Sequence, residues 1–242
     1  MVARKLKRIF PDIPLVGSLV SNSYGKQRYL EMSFLSQLKL FTTQCRDRFS
    51  TSKVDYFICN SKAIKKTNVK ALGIPEEKVK VIYRGRSFKD YKISSENVER
   101  IRKELNPGNK KIFLNVGRLI RSKGQLDLLQ AFKILLEQYP ENQLYIAGEG
   151  PLRAELEKKI AFYNLQNNVH LLGYREDIPE LLAVTDFFVF PSYFEGLPGA
   201  LLEAIIAKKP TIVSDIPENR ECFMKNGALF FHLVILKPWR IK

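Results

Sequence analysis

Histidine, cysteine and long apolar runs are all scarce in this 242-residue sequence, and each scarcity removes a class of protein. The only histidines are His170 and His232, so no Ser–His–acid triad can be argued. His170 falls in a predicted strand, where packing is its expected role. The three cysteines, Cys45, Cys59 and Cys222, are odd in number and far apart, which fits neither a disulfide framework nor a metal site. A reducing cytosol is the expected compartment. No apolar run reaches the roughly 18 residues of a membrane span. A basic run, Arg4, Lys5, Lys7 and Arg8, precedes Ile9–Val20, but Pro11, Asp12 and Pro14 break that stretch, a poor signal-peptide core. Also missing are the glycine loop ending in Lys-Ser/Thr of triphosphate-binding proteins and the glycine run of a dinucleotide site.

What is present is a globular composition, 45% hydrophobic, with an uneven charge. Residues 1–110 hold 24 of the 40 Lys/Arg and 10 of the 25 Asp/Glu, so nearly all of the net +15 lies there. A basic half joined to a neutral half suggests different partners for the two. An anionic membrane surface is one candidate for the basic half, against a merely soluble basic surface. Nucleic acid is not expected as a partner, since no recognition motif accompanies the charge.

The second half alternates strands with helices. Lys111–Val116, Gln143–Ala147, Val169–Leu172, Phe187–Phe190 and Thr211–Ser214 read as strands. Gln125–Gln138 reads as a helix with Leu128, Phe132, Leu135 and Leu136 on one face, and further helices start at Pro151, Asp177 and Leu201. This pattern predicts an α/β fold with a parallel sheet that binds ligands at the C-terminal ends of its strands. The first half is less regular. Pro14–Gly17, Val54–Cys59 and Val79–Tyr83 read as strands, and Ser61–Leu72 as a helix stopped by Gly73. Tyr29–Phe49 is a long helix whose stripe of Leu30, Phe34, Leu38, Phe41 and Cys45 is expected to be a core face. Ser87–Lys110 reads as a linker carrying one exposed helix.

Two segments carry the chemistry. In the first, the strand ending at Phe190 runs through Pro191 to Pro198 into a helix, and Gly196 and Gly199 allow close approach to backbone N–H groups. Glu195 and Glu203 flank this loop. Carboxylates repel phosphate but accept hydrogen bonds from hydroxyl groups, so they suit the sugars on either side of a diphosphate. Their spacing alone means nothing, since Glu96/Glu104, Glu141/Glu149 and Glu149/Glu157 share it. In the second segment, Gly117 and Gly124 bracket Arg118 and Lys123 after another strand. Positioned cations of this kind stabilise the charge that builds on a leaving nucleoside diphosphate. Ala147-Gly148-Glu149-Gly150-Pro151 is a third, weaker glycine loop.

Together these residues resemble glycosyltransferase family 4, which transfers sugars from nucleotide-sugar donors with retention. The match runs from Val54-Asp55-Tyr56-Phe57 through Val81-Ile82-Tyr83-Arg84-Gly85, Val116-Gly117-Arg118-Leu119, Ser122-Lys123-Gly124 and Gly148-Glu149-Gly150-Pro151. It continues with Gly173-Tyr174-Arg175-Glu176-Asp177 and closes with Pro191-Ser192 to Glu203-Ala204 and Pro210 to Asp215. The resemblance implies a GT-B fold, two Rossmann-like domains with parallel sheets. The expected division is a partial acceptor-side domain over 1–90, a linker over 91–110, a nucleotide-sugar-binding domain over 111–231 and an atypical tail over 232–242. It implies that Arg118 and Lys123 bind the diphosphate of a UDP- or GDP-sugar and that Glu195 contacts the transferred hexose. Gly117, Gly148, Gly196, Leu197 and Pro198 would lie along the donor, Glu203 would hold the ribose, and Tyr174 and Arg175 would border the base. No metal is expected. The acceptor would be a glycan or a lipid-linked glycan, made in the cytoplasm or at the inner face of the cell membrane. Two departures stand out: Lys209 where the family has glycine, and a chain that looks shortened at both ends. A nucleotide-sugar-binding fragment without transfer is the alternative.

Overall fold

The computed structural model describes residues 7, 9–25, 28–29, 32–85, 93–105, 108 and 110–223. Arg4, Lys5 and Arg8, Leu30, the first part of the expected linker and the expected tail with His232 lie outside the described residues. The described residues fall into two units. One takes the chain up to Gly85 together with Phe194–Pro198 and the stretch from Ile216. The other takes the intervening residues to Tyr193 and Gly199–Asp215.

In the first unit, β1 (Val16–Leu19), a central β2 (Tyr56–Cys59) and β3 (Val79–Val81) form a parallel sheet. Phe57 pairs with Gly17 on one side and Val79 on the other, and its ring is buried with Val54, Cys59, Ile64 and Leu72. Two helices accompany the sheet, α1 (Phe34–Ser50) and α2 (Lys62–Leu72). Ser61 accepts a hydrogen bond from the Ile64 N–H at 3.1 Å, and Gly73 ends the helix at φ 62°, so α2 carries a signal at each end. The stripe on α1 departs from expectation. Phe34 is 79% exposed, Leu38 52% and Phe41 55%, and no residue of α1 is buried. Helical spacing fixes which residues share a face; it does not supply a neighbour to cover that face.

The second unit begins with α3 (Ser95–Leu105), followed by β4 (Ile112–Val116), α4 (Gln125–Gln138), β5 (Gln143–Ala147), α5 (Arg153–Phe162) and β6 (Val169–Gly173). It is completed by α6 (Ile178–Val184), β7 (Phe187–Phe190), α7 (Gly199–Ile206) and β8 (Thr211–Val213). The strands are parallel in the order β6-β5-β4-β7-β8. Every residue of β5 and the first four of β4 are buried, as a sheet covered on both faces requires. Leu128, Leu129 and Phe132 of α4 pack into this core, with Phe132 edge-on to Phe113. His170 stacks on Tyr145 and is half-buried, the packing role expected of it; burial holds its pKa below the ordinary value.

Two local expectations change. The helix read as exposed within a linker buries Ile101 and Leu105, and the Tyr145 hydroxyl donates to the Leu105 carbonyl at 2.8 Å. Few large apolar residues were needed because two of them, four apart, suffice for a one-sided contact. The backbone does not call for the family glycine at Lys209: the left-handed residue that follows α7 is Lys208, at φ 57°. Lys209 instead points its Nζ at the carbonyls of Ala183 and Thr185, each at 2.9 Å, and so caps the end of α6.

Candidate donor-binding site

The strand order places β4 in the middle, with β5 and β6 on one side and β7 and β8 on the other. The connections leaving β4 and β7 therefore diverge to opposite faces, and the C-terminal ends of these two strands are where open α/β sheets hold their ligands. Both chemistry-bearing segments begin at this point. The loop after β4 holds Gly117, Arg118 and Lys123, and the loop after β7 starts with Pro191 and Ser192.

Backbone contacts lock these loops together within the second unit. The Gly117 N–H donates to the Ala147 carbonyl at 3.0 Å, the Leu119 N–H to Glu149 at 2.9 Å and the Gly148 N–H to Gly173 at 2.7 Å. The Tyr193 N–H donates to the Ser122 carbonyl at 2.9 Å, and its hydroxyl to Asp127 at 2.6 Å. This closeness calls for glycine, as Gly148 and Gly124 show. A Cβ on Gly148, at φ 143°, would sit 2.0 Å from the Gly117 carbonyl oxygen. A Cβ on Gly124, at φ 68°, would sit 2.2 Å from that of Pro191.

The cations in these loops differ in how they are held. Lys123 is half-buried, with its Nζ 5.4 Å from the centre of the Phe190 ring. Arg118 is exposed, and its guanidinium makes no ion pair or hydrogen bond among the described residues. Its carbonyl accepts from Gln125 Nε2 at 3.0 Å, which fixes the backbone while leaving the side chain available. Arg175, by contrast, is enclosed. It lies 2.8 Å from both carboxylate oxygens of Asp177 and bridges to both oxygens of Glu104 on α3. Arg100 joins the same group through Asp177 at 3.1 Å. Arg175 holds the carboxyls of Glu104 and Asp177 below their ordinary range. Its neighbour Tyr174 is 72% exposed. Sequence reading missed Glu104 because nothing in a charged helix marks one carboxylate as the partner of an arginine 71 residues away.

Glu203 lies on α7 in the second unit, half-buried and with an interaction partner. Glu195, Gly196, Leu197 and Pro198 belong to the first unit. There, a Cβ on Gly196 would sit 2.0 Å from the Val20 carbonyl oxygen, and the Gly196 carbonyl accepts from Ser61 Oγ at 3.3 Å. The first unit also holds a short helix, α8 (Pro217–Cys222), whose carboxylates sequence reading did not single out. Glu221 accepts from the Lys62 and Ala63 N–H groups at 2.5 and 2.7 Å, and so occupies the amides at the start of α2. Glu218 is buried and accepts from Asn22 Nδ2 at 3.0 Å; burial raises its pKa, and Glu195 and Glu221 add to the shift.

A Rossmann-type strand order with glycine loops and cations at its switch point defines a nucleotide-binding class of fold. Comparison narrows this. Residues 97–232 match the family described as glycosyl transferases group 1, and the chain belongs to that family. It is 33% identical over 193 residues to the UDP-Gal:alpha-D-GlcNAc-diphosphoundecaprenol alpha-1,3-galactosyltransferase of Escherichia coli, covering 78% of this chain and 48% of that one. It is 33% identical over 178 residues to the capsular polysaccharide biosynthesis glycosyltransferase CapH of Staphylococcus aureus, covering 71% and 46%. The chain thus spans about half the length of these relatives. Among solved structures, Anabaena HepE in complex with UDP-glucose superposes with a TM-score of 0.75 at 26% identity, over 91% of this chain and 58% of that one. WaaG, a glycosyltransferase involved in lipopolysaccharide biosynthesis, superposes with a TM-score of 0.70 at 20% identity, over 88% and 62%, a likeness of fold. The two parallel α/β sheets are of the GT-B type.

Proposed function

We propose that this chain carries the donor-binding part of a retaining glycosyltransferase, with a UDP-sugar as donor. The observation that carries the proposal is the junction of the β4 and β7 loops at the switch point, where the Arg118 guanidinium has no protein partner among the described residues. UDP is favoured over GDP because HepE, the solved structure named above, binds UDP-glucose. Arg118 and Lys123 would neutralise the diphosphate, Glu203 would accept hydrogen bonds from the ribose hydroxyls and Glu195 from the sugar. Gly117, Gly148 and the Gly196–Pro198 backbone would line the donor, and Tyr174 would border the base.

In the transfer step, the bond between the anomeric carbon and the phosphate oxygen breaks. A bond from an acceptor hydroxyl oxygen forms on the same face of the sugar, and the hydroxyl proton passes to the departing phosphate. Negative charge grows on that phosphate, and fixed cations lower its energy without reorganising. No metal is invoked in this step. The acceptor is proposed to be a glycan or a lipid-linked glycan of cell-surface polysaccharide synthesis, in keeping with the Escherichia coli galactosyltransferase and the Staphylococcus aureus capsular polysaccharide glycosyltransferase to which the chain is similar. The basic charge of residues 1–110 suits work in the cytoplasm beside an anionic membrane face.

Calorimetry with UDP and a panel of UDP- and GDP-sugars tests the donor assignment. UDP-sugars should bind and GDP-sugars should not; the reverse preference would overturn it. Turnover of the bound donor in the presence of a lipid-linked glycan separates transfer from binding alone.

A further inference from the structure

The strands that end at the glycine loops begin at a second concavity. A cleft of about 780 Å³ lies where β4 and β7 start, at the opposite end of the same sheet. That volume is within the usual range for small-molecule sites. Three stretches of chain bring cations to it: Arg102 and Lys103 from the last turn of α3, Lys110 and Lys111 ahead of β4, and Lys209 ahead of β8. Among the described residues, two carboxylates, Glu99 and Asp186, line the same walls.

Some of this charge is already committed. Lys209 caps the end of α6, as described. Lys111 Nζ lies 3.1 Å from Asp186, and Arg102 Nε lies 3.8 Å from Glu99. Lys103 and Lys110 have no ion pair or hydrogen bond among the described residues. A scattered set of surface lysines would be ordinary. Here five cations from distant parts of the chain gather around one concavity against two carboxylates, and a protein wall focuses the field of the positive charge left over, which a counter-anion would neutralise. Ammonium groups bind phosphate as point charges, without the planar geometry an arginine fork demands.

We propose that this cleft is a second binding site, separate from the donor loops, for a compact soluble anion that carries several phosphate charges. An effector of that kind would bind the unit that holds the donor without competing for Arg118 or Lys123.

The test uses inorganic tripolyphosphate as the probe, titrated by calorimetry into the whole chain and into three variants. Saturable binding is expected. Lys103→Glu/Lys110→Glu should weaken it by about tenfold or more, the scale of a lost charge-assisted contact. Its affinity for UDP should stay unchanged. Lys103→Gln/Lys110→Gln serves if charge reversal impairs folding, and should weaken the probe in the same direction. Arg118→Ala should leave probe binding at the cleft intact. No saturable binding, or equal affinity in the double variants, would overturn the proposal. So would a loss in Arg118→Ala that matches the loss in the double variants, since the probe would then sit in the donor loops. Pelleting with phosphatidylglycerol vesicles that the double variants abolish, without any tripolyphosphate binding, would also overturn it and make the cleft a membrane contact.

Discussion

Arg118 and Arg175 occupy equivalent places in the sequence: each follows a strand of the same sheet, and each was expected to touch the donor. Their surroundings differ. The loop after β4 is fixed by backbone contacts and leaves the Arg118 guanidinium exposed and without a partner among the described residues. The loop after β6 is fixed by Arg175 itself, through Glu104 on α3 and Asp177 ahead of α6. An arginine whose three nitrogens are all bonded to two carboxylates has few donors left for a ligand. Position at a strand end therefore nominates a residue, and its partners decide whether it binds a ligand or holds the fold.

The largest effect is expected where the β4 loop depends on backbone closeness. Gly148→Ala forces a Cβ onto the Gly117 carbonyl and should cost about 3 kcal/mol or more in stability, from overlap and positive-φ strain together. Thermal unfolding measures it, and UDP binding should fall with it. An unchanged midpoint would mean that the loop adapts freely.

Next comes the pair itself. Arg175→Ala should destabilise the chain by about 1–3 kcal/mol, because Glu104 and Asp177 lose their shared partner in a partly buried setting. Arg118→Ala should leave the unfolding midpoint in place and weaken UDP binding by about 1.5–3 kcal/mol. If both variants lose stability alike, or both lose UDP affinity alike, the distinction fails.

A smaller effect concerns pH. Arg175 depresses the pKa values of Glu104 and Asp177 below the ordinary carboxylate range. A carboxylate whose pKa is lower in the folded state stabilises the fold above its unfolded pKa and loses that contribution as pH falls. Below roughly pH 4 the wild-type chain should therefore lose stability more steeply than Arg175→Ala, in which, of the two arginines, only Arg100 remains to depress the two carboxyls. Unfolding midpoints from pH 7 to 3 would show the two curves converging; parallel curves would contradict the network. The smallest effect is a gain. Lys208→Gly relieves a left-handed residue and should stabilise by about 0.5 kcal/mol, after the added freedom of glycine in the unfolded chain is subtracted.

Much of the second sheet was legible in the sequence. Gln143–Ala147, Phe187–Phe190 and Gln125–Gln138 have the bounds read from apolar pattern alone, since strands buried on both faces and a helix with one apolar stripe are distinctive. The glycine loops were legible for the same reason: each sits at the end of such a strand. What was not legible depends on partners far away in the chain. The α1 stripe of Phe34, Leu38 and Phe41 has the same spacing as the buried stripe of α4 but lies exposed. Glu104 and Arg175, or Lys209 and the end of α6, meet only once the fold exists. The cleft cations likewise come from 102–103, 110–111 and 209, and no local motif joins them.

The most direct test of the central claim is a calorimetric titration of UDP into the wild-type chain, Arg118→Ala and Arg175→Ala, with each unfolding midpoint recorded alongside. UDP is predicted to bind the wild type, to bind Arg118→Ala at least about tenfold more weakly at an unchanged midpoint, and to bind folded Arg175→Ala nearly as well as wild type despite its lowered midpoint. Undiminished UDP affinity in Arg118→Ala would contradict the assignment of the β4 loop as the diphosphate site.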